Sequence, residues 1–163
     1  MRHIKEIQIM KKYIFIAVFL WASCVFSQEP ENLDIIADNQ KFDNAKQFIS
    51  LGMPQKALVE LTEYLEIYNR GIHRNEALSL LAKIYCDRFD YQRALKIYKK
   101  QFEEFSNSDE GIAAFFQIGI CYSKMGYNAE AEDVFKRIIK EYPSSIYSGQ
   151  SRVQLDLMDV LQN

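Results

Sequence analysis

The feature that most limits what this chain can fold into is a period of 37 residues. Ala57, Ala94 and Ala131 recur at that spacing, and each opens an amphipathic run: ALVELTEYL, ALKIYKKQF and AEDVFKRII. Twelve positions upstream stand the small residues Ala45, Ala82 and Gly119. Three positions after those come Phe48, Tyr85 and Tyr122, and four after each alanine come Leu61, Tyr98 and Phe135. A unit of this length cannot bury its apolar face alone. Stacked copies can, so residues needed at the shared interior return in step.

Within each unit the apolar period is helical. Tyr91, Ala94, Leu95, Tyr98, Phe102 and Phe105 fall on one face of a helix, while Arg93, Lys96, Lys99, Lys100, Glu103 and Glu104 fall on the other. Only six glycines and three prolines interrupt 163 residues, which favours long helices over many short strands. The spacing predicts helices near 32–51, 54–68, 75–88, 91–105, 110–125, 128–141 and 146–161. Gly52 and Gly126 are placed to end a helix in the left-handed conformation, and Pro54 suits the start of the next. Phe89 stands where the second unit would need such a glycine. A bulky residue resists positive φ, so a different turn is expected there, with Asp90 as the N-cap.

These columns resemble the tetratricopeptide repeat family. Its pattern sets a bulky residue, Leu-Gly and Tyr in a first helix, Ala and Phe in a second, and a closing Pro. The third unit matches through Phe115, Ile118-Gly119, Tyr122, Ala131, Phe135 and Pro143. The second matches through Leu78, Leu81-Ala82, Tyr85, Ala94 and Tyr98, with Ser106 in the Pro position. The first is degenerate: Lys41, Asn44-Ala45, Phe48, Ala57 and Leu61, with Asn69 last. The resemblance implies an all-α, right-handed α-solenoid of about three repeats, near 38–74, 75–111 and 112–148, within a domain spanning 28–163. A capping helix over 149–161 would follow. Its stripe of Val153, Leu157, Val160 and Leu161 is expected against repeat three, with Asp156 and Asp159 outward.

The same resemblance implies a binding surface on the concave face lined by first helices. Its positions here are Phe42, Lys46 and Ile49 in repeat one, Ser79, Lys83 and Asp87 in repeat two, and Phe116, Ile120 and Lys124 in repeat three. A protein or peptide partner is implied, extended, with apolar anchors and an acidic residue or free carboxylate. The alternative is that Phe42 and Phe116 pack under the N-terminal segment or the cap. The carboxylate clamp of the chaperone-binding members is absent, because Phe42 and Lys46 occupy two of its places.

Residues 1–27 read as an export signal. Lys11 and Lys12 precede an uncharged run from Tyr13 to Phe26, and Val25-Phe26-Ser27 supplies a cleavage site. Fourteen helical residues reach about 21 Å, short of the roughly 30 Å of a bilayer core. Met10 is the expected start of that signal. Ala22-Ser23-Cys24 offers an alternative, a lipidated Cys24, though Trp21 replaces the usual leucine three residues before it. The expected location is therefore the periplasm of a two-membrane bacterium, or its outer membrane by a lipid anchor. Members of the outer-membrane-assembly and Tol–Pal types are similar in this respect, and in the stretch Tyr-Pro-Ser-Ser-Ile-Tyr at 142–147.

No catalytic motif accompanies the repeats: there is no phosphate-cradling glycine loop, no His-Glu-x-x-His and no Gly-x-Ser-x-Gly. The reading is therefore a non-catalytic scaffold with no metal and no cofactor. His73, the one histidine after the signal, is expected as a solvated turn residue. Removing Arg2, Lys5, Lys11, Lys12 and Glu6 with the signal leaves a net charge of −5, which argues against nucleic acid despite the cluster Lys136, Arg137 and Lys140. Cys86 and Cys121 sit in first helices of adjacent repeats, in columns two positions apart. That offset directs them to different faces, as two buried free thiols, with a disulfide as the alternative in an oxidising compartment.

Overall fold

The computed structural model describes residues 31–106 and 108–162. The signal segment and Cys24 lie outside the described residues. The chain divides after Ala37, and the repeats belong to the unit that begins at Asp38. Seven helices and no strand occur among the described residues: α1 (Glu31–Ser50), α2 (Pro54–Ile67), α3 (Arg74–Asp87), α4 (Tyr91–Phe105), α5 (Asp109–Lys124), α6 (Asn128–Glu141) and α7 (Ile146–Gln162). Every boundary falls within one residue of the position expected from periodicity.

From α2 onward, helices pack antiparallel on their sequence neighbours, and α3, α5 and α7 also meet side by side. This is the arrangement of a helical solenoid, with first helices stacked along one side. The periodic columns form its interior. Ala57, Ala94 and Ala131 are all fully buried, as are Ala45 and Ala82, and Leu61, Tyr98 and Phe135 are buried beside them. At Gly119 a Cβ would lie 2.6 Å from the Phe135 ring, so only a glycine lets the two helices of repeat three approach this closely.

The turns inside repeats obey the period more strictly than local preference does. Gly52, Phe89 and Gly126, each 37 residues from the next, have φ of 66°, 60° and 80°. The residue after each donates its N–H to a carbonyl near the end of the preceding helix: Met53 to Phe48 O at 2.8 Å, Asp90 to Tyr85 O at 2.9 Å, Tyr127 to Tyr122 O at 3.0 Å. The different turn expected at Phe89 does not occur. Stacking of repeats fixes the helix-to-helix angle, and the phenylalanine takes the left-handed conformation to satisfy it. Asp90 caps α4 as expected, accepting from Arg93 N–H at 3.2 Å. Pro54 opens α2.

Helix α7 docks on repeat three through a face other than the one expected. Val153, Leu157 and Val160 are exposed, at 55%, 52% and 73%. Ser148, Ser151 and Met158 are buried instead, with Leu155 and Tyr147 packed beside them. The period explains this. Ser151, Leu155 and Met158 lie 37 residues after Ala114, Ile118 and Cys121, so α7 packs as a first helix packs on the preceding repeat. Arg152, Asp156 and Asp159 take the columns that would meet a second helix, and all three are exposed. The helix covers repeat three and turns a charged side away from it.

Candidate functional site

The surface lined by first helices can be followed column by column. The fifth-position column reads Phe42, Ser79, Phe116 and, in α7, Val153. Next comes Lys46, Lys83, Ile120 and Leu157. The third reads Ile49, Cys86, Ser123 and Val160.

The two aromatic anchors are not on this surface. Phe42 is 0% exposed; its ring stacks on His73 at 4.4 Å and meets Tyr64 at 5.5 Å. Phe116 is 7% exposed and packs between Phe135 and Tyr147, at 5.6 and 5.5 Å. Phe42 thus lies under its own repeat's closing turn, and Phe116 under the start of α7. Aromatic rings are too costly to leave in water when a neighbouring helix can cover them.

The remaining expected residues are accessible and differ in chemistry along the solenoid. Lys46 is exposed, with Nζ 3.7 Å from Glu76 and 5.4 Å from the Phe42 ring centre. Lys83 is exposed and pairs with Asp87 at 3.8 Å, one turn away on α3. Ser79 is half-buried, and its hydroxyl accepts from Gln101 Nε2 at 2.6 Å. Ile49 is half-buried. This end is a set of balanced charges. Toward the C-terminus, half-buried Ile120 is followed by exposed Val153, Leu157 and Val160, with exposed Lys124 at the end of α5. Val153, Leu157 and Val160 fall outside the expected binding set because a stripe on a capping helix is expected to point inward. The signal that finds them is the period itself, extended by one more unit from Phe116 to Val153 and from Ile120 to Leu157.

His73 is not a solvated turn residue. It is half-buried, its Nε2 lies 2.7 Å from Asn39 Oδ1, and its ring covers Phe42. Beside it, the buried Asp38 carboxylate accepts from the Tyr64 hydroxyl at 2.6 Å and from Ile72 N–H at 3.0 Å. The Tyr64 oxygen accepts in turn from His73 N–H at 3.1 Å. Burial, then the bond to Asp38, raise the Tyr64 phenol above its ordinary range, so it stays a donor. Gly71 fits this turn because a Cβ there would lie 2.3 Å from the Tyr64 hydroxyl. The set ties α1 to the turn before α3, and its central Asp38 and Tyr64 are buried, which makes it structural.

Cys86 and Cys121 are free thiols, Cys86 half-buried and Cys121 buried. They do not point to different faces. Cys121 belongs to the column that α5 turns toward the preceding repeat, and there it meets Cys86 and Tyr98. Among the described residues no cluster of His, Cys, Asp or Glu could hold a metal ion, and no helix is long and apolar enough to cross a membrane.

A helical solenoid with a two-part surface of first helices is the class of protein so defined. Models of the tetratricopeptide repeat match residues 77–103 and 113–145, within α3–α4 and α5–α6 with the turn after them. The matched segments support that family. A crystal structure of MamA superposes with a TM-score of 0.56 at 18% identity, over 70% of this chain and 63% of that one. The chain therefore spans less than two thirds of that MamA, and the likeness shows the fold. A tetratricopeptide repeat protein from Parabacteroides merdae gives a TM-score of 0.42 at 13% identity, over 71% of this chain and 57% of that one. The double mutant titled MamA RS-1 ArsTM gives 0.40 at 15%, over 77% and 85%. No curated protein matches the chain.

Proposed function

We propose that this protein is a non-catalytic scaffold that holds a segment of another protein against its first helices, in the envelope of a two-membrane bacterium. Tetratricopeptide solenoids generally mediate contacts between proteins. The observation that carries the reading here is the exposed apolar row Val153, Leu157 and Val160, continuous in register with Ile120. Apolar side chains aligned along one face mark a contact surface, whereas single exposed ones do not. The partner segment would place apolar residues against this row and an acidic group near Lys124. Lys46 and Lys83 already face carboxylates, so they would set orientation more than affinity.

The experiment is site-specific photo-crosslinking in intact envelopes. A crosslinker at Val153 or Leu157 should give one discrete adduct, lost in Ile120→Asp; one at Lys96, on the outer side of α4, should give none. Adducts from Lys96 alone would reverse the assignment of the face. The location rests on the Lys11-to-Ser27 pattern. The mass of the amino terminus tests it: a chain starting at Gln28 fits a soluble scaffold. A diacylglyceryl group on Cys24 fits an anchored subunit, the reading that Ala22-Ser23-Cys24 favours. A start at Met1 or Met10 retained in the mature protein would refute export by cleavage.

A further inference from the structure

A buried cysteine is usually an apolar filler with no further chemistry. The pair at the boundary of repeats two and three departs from that pattern in three ways. Two thiols from different helices, Cys86 on α3 and Cys121 on α5, pack into one core cluster and face each other there. Access to them is unequal: Cys86 is half-buried in the column that lines the inner surface, and Cys121 is fully buried in the core cluster. A third polar group, the hydroxyl of buried Tyr98 on α4, belongs to the same cluster. An outer thiol with a polar partner, backed by a second thiol that solvent cannot reach, is the arrangement of an attacking and a resolving cysteine. The backbones of α3 and α5 come within 8 Å of each other, so the two thiols lie on directly neighbouring helices.

We propose that Cys86 and Cys121 form a dithiol–disulfide couple, with Cys86 the attacking sulfur, Cys121 the resolving sulfur, and a small or protein-borne disulfide the oxidant. Cys86 thiolate attacks one sulfur of R–S–S–R. That S–S bond breaks, a Cys86–S–S–R bond forms, and the departing thiolate takes up a proton equal to the one Cys86 gave up. Cys121 then loses its proton and its sulfur displaces the second R–S⁻, which is protonated in turn. The chain loses two electrons and two protons, and one disulfide becomes two thiols. The surroundings favour this order. Contact with Cys121, and after it with the Tyr98 hydroxyl, lowers the pKa of the Cys86 thiol against the opposing effects of burial and of Asp87. The Cys86 sulfur and burial push Cys121 up. The resulting bridge would lock the second repeat to the third and remove a thiol from the inner surface. The couple stands independently of the ligand proposed for that surface.

The test uses the full chain, reduced and then exposed to oxidised glutathione, alkylated in acid and digested with trypsin. The expected product is the peptide 84–88 joined to the peptide 101–124, preceded by a transient glutathione adduct on Cys86. In Cys121→Ser the adduct should accumulate instead of decaying; in Cys86→Ser, Cys121 should remain a thiol. A thermal melt of each variant, compared with the parent, establishes that it is folded. The parent's own time course decides the same question without the variants. A lasting adduct on Cys86 with Cys121 present, a first adduct on Cys121, a linkage through Cys24, or two unreacted thiols would each overturn the proposal.

Discussion

Repeats one and three have the same helical outline but are closed in different ways. In repeat three the closure is made by rings: Phe135 lies against Gly119 and Phe116, and Phe102 of repeat two stacks on Phe115 at 4.4 Å. In repeat one the corresponding closure is polar, with Asp38, Tyr64 and the backbone of Ile72 and His73 in one buried network. The difference shows that the solenoid tolerates a departure from the repeat pattern where hydrogen bonds replace shape. Shape can be altered by degrees. A buried network fails when one member is lost, because its partners stay buried and unpaired.

Phe135→Ala tests the apolar side and should have the largest effect. Removing a fully buried ring costs about 3–5 kcal/mol, read as a lower denaturation midpoint. A cost below about 1 kcal/mol would mean that repeat three does not depend on this ring. Asp38→Ala tests the polar side. It strands the Tyr64 hydroxyl and Ile72 N–H and should cost about 1–3 kcal/mol. Amide exchange should quicken over 38–73 and stay slow in α5 and α6; uniform loosening would show that the repeats do not open separately.

Between the two lies the turn that belongs to neither. Phe89 is 79% exposed and held at φ 60°, so Phe89→Gly removes strain and little packing. It should stabilise the fold by about 1 kcal/mol, less the greater flexibility of glycine when unfolded. Destabilisation would assign the ring a packing role.

The smallest effect concerns the link that joins repeat one to repeat two. Arg74 Nε and Nη2 donate to Glu104 at 2.7 and 2.8 Å, and Nη1 donates to Leu65 O at 3.1 Å. The hydrogen bond from Arg74 holds the Glu104 carboxyl below its usual range. A depressed carboxylate adds stability above its unfolded pKa and loses it as pH falls through the folded value. Stability should therefore drop below about pH 4.3, and less steeply in Glu104→Gln. At neutral pH that substitution should cost under about 1 kcal/mol, since the pair is partly open to water.

Much of the fold is legible in the chain because periodicity is a local record of a repeated environment. Ala57, Ala94 and Ala131 announce helix pairs, and Gly52 and Gly126 announce their turns. Phe89 departs from its expected turn because propensity weighs one residue, whereas stacking weighs the whole hairpin. The site is less legible. Whether Phe42 and Phe116 face a ligand or the interior depends on what lies across from them. That is Tyr64 and His73 in one case and Tyr147 in the other, each distant in sequence or outside the repeat's own pattern. Column offsets along one helix direct the two thiols apart, but Cys86 and Cys121 belong to two helices whose faces converge.

The sequence alone determined the helical hairpin, its 37-residue register and the small and aromatic residues at its interior, because a periodic core must be written periodically. Only the tertiary structure decided which face of α7 stays in water, which aromatic rings are sealed and which thiols meet. Those outcomes follow from contacts between helices, and the free energy of burial depends on the facing surface as much as on the residue itself.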